Sequence, residues 1–451
     1  MVVIILGIAM TVLDGTIVNL ALPGITRDLH ASAAQAVWVI NAYQVGTLGL
    51  MLPCATLGDL VGYRRVYLSG LALFTAASLG CALADSLPFL AAARAVQGLG
   101  AAGVMSVNTA LVRLTYPKSM LGRGVAINSL VVAASSVAGP SLAAAILSVA
   151  SWPWLFVLNL PFGVLVLWLG LRALPPNIAA APAGARLSWL DVLLNALMFS
   201  LVFLGVDALG TRAGTAASSS SIAAAAAMLA GGILVGVIYV RRQLSLPVPV
   251  FPLDLLRIPI FALSMCTSIG AFGSQMLANI ALPFLLLDSY GRSPIEAGLL
   301  ITVWPLAIVA VAPFVGRLIG RYPDGLLGGM GLGIMALGLA LLADLPAQPT
   351  DAAIVWRIAL CGIGLGLFQS PNNHTILTSA PHHRSGGASG MQSTARLTGQ
   401  TVGAVIMAII FSFANAHDGR GPVIALALAA GLSAVAGAFS TLRLRHPVSA
   451  H

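Results

Sequence analysis

Long apolar stretches, separated by short polar or Pro- and Gly-rich breaks, follow one another along the whole chain. A helix of about 20 apolar residues crosses the hydrocarbon core of a bilayer, and such stretches lack the alternation of a membrane β-barrel. The pattern therefore predicts an all-α polytopic membrane protein. We expect fourteen transmembrane helices, at residues 2–22, 36–57, 66–84, 88–112, 124–149, 153–173, 189–209, 221–241, 260–287, 296–317, 326–344, 351–377, 387–412 and 422–442.

The composition supports this class and excludes several kinds of site. Of the 451 residues, 59% are hydrophobic and 8% are charged, whereas soluble proteins carry about 25% charged residues. The four cysteines lie inside apolar stretches, so we expect them to pack rather than form disulfides. The histidines are scattered apart from one adjacent pair, and no phosphate-binding G-x-x-x-x-G-K-[ST] motif occurs. We expect no enzyme activity, no metal, no cofactor and no use of ATP.

Basic residues are distributed unevenly over the breaks between the helices. With the N-terminus in the cytoplasm, most of the 22 Lys and Arg residues fall in cytoplasmic loops. This asymmetry is a topology signal, and it predicts a multi-pass protein of the cell membrane, namely a bacterial inner membrane, with both termini cytoplasmic. It also explains the net charge of +9, so we expect no nucleic-acid partner. Three arginines lie at membrane depth instead: Arg94, Arg357 and Arg396.

The longest breaks, 175–188 and 243–259, flank the seventh and eighth predicted helices. We therefore predict an N-terminal six-helix bundle at 1–174, a linker with an inserted helix pair at 175–259, and a C-terminal six-helix bundle at 260–451. The first apolar stretch begins at Met1 without a polar segment before it, which we interpret as a truncated or misassigned start.

The two predicted bundles contain an internal repeat. In the fourth helix Arg94 is followed by Gly98, Gly100 and Asn108, and in the twelfth helix Arg357 is followed by glycines and an asparagine at nearly the same spacing, Gly362, Gly364 and Asn372. Repeats of this kind are common in transporters.

Asp14 lies in the middle of the first apolar stretch, VVIILGIAMTVLDGTIVNL. An ionised carboxylate at this depth costs several kcal/mol, so it indicates a functional site or a specific partner. Arg94 needs a partner for the same reason, and Asp14 and Gln97 are the best candidates. A carboxyl group in a low-dielectric cavity can hold a proton or face a cation, but not both easily. The alternative is that Asp14 and Arg94 only hold helices together.

Several motifs together resemble the major facilitator superfamily, and most closely its fourteen-span drug–proton antiporters. LDGTIVNLALP (13–23) resembles the first-helix signature, RAVQGLGAAG (94–103) the arginine motif linked to proton coupling, and WPWLFVLNLPFG (152–163) the entry to the sixth helix. The fifth-helix antiporter motif is altered, with Ser135, Ala143 and Ala144 around Gly139 and Pro140. The tenth and thirteenth helices lack the mid-span carboxylates that some relatives use for dications.

The resemblance also implies gating residues. GDLVGYRR (58–65) resembles the superfamily's motif between the second and third helices, and it assigns a conformational latch to Gly58, Asp59, Gly62, Arg64 and Arg65. Gly139 and Pro140 would contribute a packing bend. The alternative for the basic residues is simple topology anchoring.

Polar and aromatic mid-helix residues are candidates for the substrate wall, although each alone is more often a packing residue. They are Trp38, Asn41, Tyr43, Gln44, Gln275, Asn279, Trp304, Gln369, Asn372, Asn373 and Gln392. For Arg396 we expect snorkelling or a structural pair, for Arg357 a structural role close to Asp351, and for Asp191 and Asp207 solvation or packing.

These observations predict proton-coupled efflux of lipophilic drugs, monovalent cations or neutral molecules, by alternating-access antiport. The expected partners are the substrate, protons and the lipid bilayer. We expect the protein to function as a monomer, with accessory envelope proteins as further partners. A metabolite exporter or a proton symporter on the same fold is the alternative. A non-transporting membrane sensor would not need a buried titratable group.

Overall fold

The computed structural model describes residues 2–115, 121–174, 188–213, 219–244, 253–346, 348–380, 385–414 and 419–445. Within these ranges the chain is helical and forms no β-sheet, as predicted. The helices are α1 (Val2–Asp28), α2 (Ala33–Ala36), α3 (Trp38–Val61), α4 (Tyr63–Ala82), α5 (Leu87–Thr115), α6 (Leu121–Leu147), α7 (Pro153–Val157), α8 (Asn159–Ala173), α9 (Trp189–Ala213), α10 (Ser219–Leu244), α11 (Pro259–Phe284), α12 (Pro294–Leu318), α13 (Asp324–Ala343), α14 (Asp351–Ser379), α15 (Ser385–Phe413) and α16 (Arg420–Leu442).

Each predicted transmembrane helix has a counterpart, with ends within a few residues of the expected positions. The sixth is divided into α7 and α8, the short α2 precedes α3, and a π-helical turn, Leu285–Ser289, extends α11. Thirteen helical segments among the described residues are long and apolar enough to cross a membrane. The fourteenth predicted span corresponds to α6, whose apolar stretch Val131–Leu147 is shorter.

Glycines bring the helices together at backbone distance in the first part of the chain. A Cβ on Gly98 of α5 would overlap the Tyr43 carbonyl of α3, and a Cβ on Gly100 would overlap backbone atoms of Gly70 and Phe74 in α4. Helices in lipid associate by such close packing because burial of apolar surface no longer drives them together. The glycines of RAVQGLGAAG therefore seat α5 between α3 and α4.

The chain divides into two compact units, Met1–Arg242 and Gln243–His451. The helix pair α9 and α10 belongs to the first unit, where Asn195 of α9 donates a hydrogen bond to the Gly49 carbonyl of α3 at 2.8 Å. In the second unit Gly362 and Gly364 of α14 pack against the Trp304 carbonyl of α12 and the Gly331 carbonyl of α13. The packing of α5 is thus repeated by α14.

Candidate functional site

A buried ion pair joins α1 to α5 in the first unit. Nη1 of Arg94 donates to Oδ2 of Asp14 at 2.5 Å. Asp14 is 0% exposed and Arg94 is 1% exposed, so the pair is shielded from solvent. The structure therefore has the pairing that the cost of two charges at membrane depth predicts.

The second carboxylate oxygen of Asp14 is held by two side-chain amides. Nε2 of Gln97 donates to Oδ1 at 2.9 Å, and Nδ2 of Asn159 at the start of α8 donates to the same oxygen at 2.8 Å. Gln97 also donates to the Ser78 hydroxyl of α4 at 2.8 Å. Both oxygens of the carboxylate are thus fully engaged by donors from α5 and α8.

Arg94 has further partners that tie it to α3. Its Nε donates to the Val39 carbonyl at 3.0 Å, and its Nη1 also donates to Oε1 of Gln97 at 2.6 Å. The guanidinium carbon lies 4.3 Å from the ring centre of Tyr43 and 5.6 Å from that of Phe156. Aromatic faces stabilise a cation in this geometry.

The chemical consequence follows from the low local dielectric. A buried ion pair is tolerated only when its remaining donors and acceptors are satisfied, and loss of one charge leaves the other unsupported. A proton on Asp14 would neutralise the carboxylate and remove the counter-charge of Arg94, which would keep the Val39 carbonyl, Gln97 and two aromatic rings as partners. The arrangement can therefore convert protonation into a change in the contact between α1 and α5.

Asn159 and Ser78 belong to this network and were not among the predicted site residues. Asn159 lies inside WPWLFVLNLPFG, so a signal was present, but the motif was interpreted only as a family resemblance. Ser78 lies in the apolar stretch of α4, where a single small hydroxyl gives no sequence signal. Both are buried.

The predicted gating residues lie at the junction of α3 and α4. Gly62 has φ of +98° and ends α3, so the turn requires a residue without a Cβ. A Cβ on Gly58 would collide with the Tyr63 ring and Val107. Arg64 donates to the Leu171 carbonyl near the end of α8, and Arg65 is exposed. The side chain of Asp59 lies outside the described residues, so its latch role stays a prediction.

Gly139 and Pro140 of α6 lie against the helix that carries Asp14. A Cβ on Gly139 would overlap the side chain of Thr16 in α1, only two residues from Asp14. Both residues are buried. The altered fifth-helix motif therefore packs against α1 two residues from Asp14, the proton-coupling candidate.

The substrate-wall candidates of the first unit have different surroundings. Tyr43 contacts Arg94 as described above. Asn41 is fully buried, and within the described part of the chain neither atom of its amide group has a hydrogen-bond partner. Gln44 is also buried, and Trp38 is half-buried.

In the second unit, Asn372 has a structural environment. Its Nδ2 donates to the Ser268 hydroxyl at 2.8 Å, and its Oδ1 accepts a hydrogen bond from Nη1 of Arg443 at 2.8 Å. Arg443 lies just beyond α16, and burial lowers the pKa of its guanidinium to about 10, an effect that the charge of Asp324 opposes. Arg443 therefore stays charged at neutral pH and fastens α16 to α11 and α14.

Two of the other candidates of the second unit keep unpartnered polar groups within the described residues. Trp304 is 2% exposed and its indole N–H has no partner, and Oε1 of Gln275 is buried without one. The remaining candidates are half-buried: Asn279, Gln369, Asn373 and Gln392.

The structure corrects one expectation about charged residues and decides between the two alternatives for another. Asp351 pairs with Arg292 at 2.8 Å, whereas Arg357 donates to the Ala353 carbonyl and lies over the Trp356 ring. Asp191 is buried and pairs with Arg242 at 2.6 Å rather than facing water, because α10 brings the arginine alongside it.

Comparison with known proteins places this architecture among transporters. The model of the Major Facilitator Superfamily matches residues 4–270 and 263–451. The uncharacterized transporter YebQ of Escherichia coli K12 is 51% identical over 446 residues, which cover 99% of this chain and 95% of that protein. The riboflavin transporter RibZ of Clostridioides difficile is 27% identical, over 91% of this chain and 88% of RibZ. The multidrug resistance protein Stp of Mycobacterium tuberculosis CDC 1551 is 30% identical, over 90% of this chain and 74% of Stp.

Proposed function

The chain belongs to the Major Facilitator Superfamily, and its relatives named above are transporters rather than enzymes; we propose that it is a proton-coupled antiporter that exports lipophilic organic compounds. The observation that carries the proposal is the fully buried pair of Asp14 and Arg94. A purely structural pair of this kind is costly to keep and is often no more stabilising than apolar packing.

Asp14 is the only described carboxylate that lies away from the ends of the helices. The others whose side chains are described lie in the first or last turn of a helix or between helices. A single exchangeable carboxyl group supports a stoichiometry of one proton per transport cycle. Each unit of pH difference then supplies about 1.4 kcal/mol, or roughly a tenfold substrate gradient.

In the proposed cycle, protonation of Asp14 releases Arg94 from α1, and the two halves of the protein alternate between inward-open and outward-open states. The packing of Gly139 on α1 transmits the change to α6. With its oxygens occupied by Arg94, Gln97 and Asn159, Asp14 serves as a proton switch and not as the direct ligand of a cationic drug. We propose neutral or monovalent substrates, since mid-span acids for a dication are scarce.

We further propose that both termini are cytoplasmic, that the protein resides in a bacterial inner membrane, and that it transports as a monomer, with accessory envelope proteins as further partners. The relative named as a multidrug resistance protein favours drug efflux. The relative named as a riboflavin transporter supports the second candidate, a metabolite carrier.

The test is Asp14→Asn in proteoliposomes, with Asp28→Asn as the matched control, because Asp28 is an exposed carboxylate at the end of the same helix. We expect Asp14→Asn to lose substrate-dependent proton flux while it retains substrate–substrate exchange, which needs no net proton movement. Asp28→Asn should behave as the wild type. Proton flux that persists in Asp14→Asn would refute the proposal.

The direction of coupling needs a separate measurement. In everted vesicles, addition of substrate to an antiporter should dissipate an imposed interior-acid pH gradient. A symporter would instead acidify the interior as substrate enters.

A further inference from the structure

Arg396 lies in the interior of α15, eleven residues after its first residue, Ser385. At a rise of about 1.5 Å per residue, this places it about 16 Å along the helix. It also lies within the apolar segment Gly390–Phe413 that is suited to span a membrane. A permanent positive charge is therefore held at membrane depth in the second unit.

The only described contact of this guanidinium is with an aromatic ring. Its carbon lies 5.2 Å from the ring centre of Phe272 on α11, and among the described residues it forms no hydrogen bond and no ion pair. Other arginines of the chain are better satisfied: Arg94 has Asp14, and Arg443 has Ser264, Ser440 and Asn372. Among the described residues, Arg396 is thus a half-buried cation without a counter-charge.

The position of Arg396 is fixed by close helix packing. A Cβ on Gly399 would overlap the Ile269 carbonyl of α11, and a Cβ on Gly403 would overlap the Gly273 carbonyl. These contacts lock α15 against α11 on both sides of Phe272. The backbone that carries Arg396 is therefore fixed relative to Phe272, which restricts how far the guanidinium can move.

Amide side chains lie one helical turn from Arg396 and one turn from its aromatic partner. Gln392 and Gln400 lie one turn before and one turn after Arg396 on α15, and all three are half-buried. Gln275 lies one turn from Phe272 on α11, and its Oε1 is buried without a partner in the described part of the chain. We call Arg396, Gln392, Gln400 and Gln275 the stripe. Their side chains offer one cation and several hydrogen-bond donors to a ligand.

The carboxylates of the second unit do not reach this stripe. Those described are at helix ends and have other partners or positions: Asp324 accepts hydrogen bonds from His374 and Thr375, Asp351 pairs with Arg292, and Glu296 caps α12. Helix α11 itself contains no acidic residue. A counter-charge from within the described part of this unit is therefore absent.

We propose that Arg396, with Gln392, Gln400 and Gln275 around it, binds an acidic group of the transported compound, and that Phe272 contacts the adjoining apolar part. The substrate class is then an amphipathic organic monoanion, such as an aromatic carboxylate. This inference rests on the proposed export function and specifies its substrate. It reverses the sign of charge that the sequence favours, because Asp14 is already neutralised by Arg94 whereas Arg396 is not.

The experiment compares three ligands with one aromatic body and different charge: 1-naphthylacetate, 1-naphthylacetamide and 1-naphthylethylammonium. Equilibrium binding to the purified full-length protein is measured by calorimetry. We expect the wild type to prefer the carboxylate. Arg396→Gln should weaken binding of the carboxylate by about tenfold or more, as expected for a charge-assisted hydrogen bond, and leave the other two ligands little changed.

Two variants serve as comparisons. Arg396→Lys keeps the charge but loses the planar fork, so it should retain part of the preference. Arg357→Gln removes another half-buried arginine over an aromatic ring in the same unit, and it should leave the preference intact. An equal loss for all three ligands in Arg396→Gln, or a wild type that prefers the ammonium compound, would overturn the proposal.

A lipid headgroup is the other source of an anion, and it is distinguished by competition. Phosphatidylglycerol added to phosphatidylcholine vesicles that hold the protein should not displace 1-naphthylacetate. If it does, the stripe is a lipid site and the proposal fails. Binding at equilibrium needs no proton gradient, so Asp14→Asn should keep the charge preference even though it loses proton flux, which separates this proposal from the proposed function.

Discussion

The two units of the chain share a packing scheme but differ in the chemistry built on it. Gly98 and Gly100 seat α5 against α3 and α4, and Gly362 and Gly364 seat α14 against α12 and α13 in the same way. The arginines that precede these glycines differ. Arg94 is buried and paired with a carboxylate, whereas Arg357 is half-buried and bonds a backbone carbonyl.

The difference arises from the helices that face the arginines. Helix α1 supplies Asp14 to Arg94, while α11 of the second unit has no acidic residue to supply. The repeat thus specifies how closely helices approach, because glycine positions control backbone contact. Charge is added to one copy independently, and it decides which unit carries the candidate proton site.

The largest expected effect comes from replacing each of the two arginines in turn and comparing the losses of stability. Arg94→Gln should reduce stability by about 3–5 kcal/mol, because it leaves Asp14 as an uncompensated buried charge. Arg357→Gln should cost less than about 1 kcal/mol, since Arg357 is half-buried and its hydrogen bond is to a backbone carbonyl. Unfolding of the purified protein in detergent measures both.

A double variant controls this prediction. Asp14→Asn combined with Arg94→Gln should recover much of the loss, because no unpaired charge remains. If the two single arginine variants were equally destabilised, the contrast between the units would be wrong.

A smaller effect should test the shared packing. Gly100→Ala and Gly364→Ala should each cost about 1–3 kcal/mol, because the added Cβ meets backbone atoms that cannot rotate away. Gly333→Ala and Gly431→Ala are matched controls, since a Cβ at either position meets nothing within 4 Å. The same unfolding measurement applies. If only one of Gly100→Ala and Gly364→Ala lowered the free energy of unfolding, the two units would share their packing but not its contribution to stability.

The smallest predicted effect concerns a feature that the second unit lacks, the inserted pair α9 and α10. Pro53 in α3 has no N–H, so the Gly49 carbonyl loses its helical partner. Asn195 donates to that carbonyl, and Asn195→Leu should cost about 1 kcal/mol.

A double-mutant cycle sharpens this prediction. In a Pro53→Ala background the helix can satisfy the Gly49 carbonyl itself, so Asn195→Leu should then cost less. An unchanged cost in that background would mean that Asn195 stabilises α9 by packing alone.

The sequence predicts much of this structure where the cost of burial is high. Thirteen of the fourteen predicted spans correspond to described helices that are long and apolar enough to cross a membrane, and the superfamily assignment is confirmed by the match over both parts of the chain. The contact of Asp14 with Arg94 and Gln97 could be expected because two charges at membrane depth have few possible partners. The functional roles assigned to them stay predictions.

Other parts of the site could not be predicted from residue type. Asn159 and Ser78 contribute only through their position in three dimensions, and the Val39 carbonyl belongs to a residue with no polar side chain. Asp351 was expected near Arg357 because the two are close in sequence, but Arg292 from the break between α11 and α12 pairs with it instead. Sequence distance is a poor guide where loops bring helix ends together.

The bond between Asn195 and the Gly49 carbonyl also has a consequence for biogenesis. During synthesis α3 enters the membrane long before α9 is made, and until then its proline leaves a carbonyl in lipid without a donor. An unsatisfied backbone group in hydrocarbon is costly, so α3 would remain with the insertion machinery or hold a water molecule until α9 arrives. The first unit is therefore complete only once α9 has inserted and Asn195 has bonded the Gly49 carbonyl.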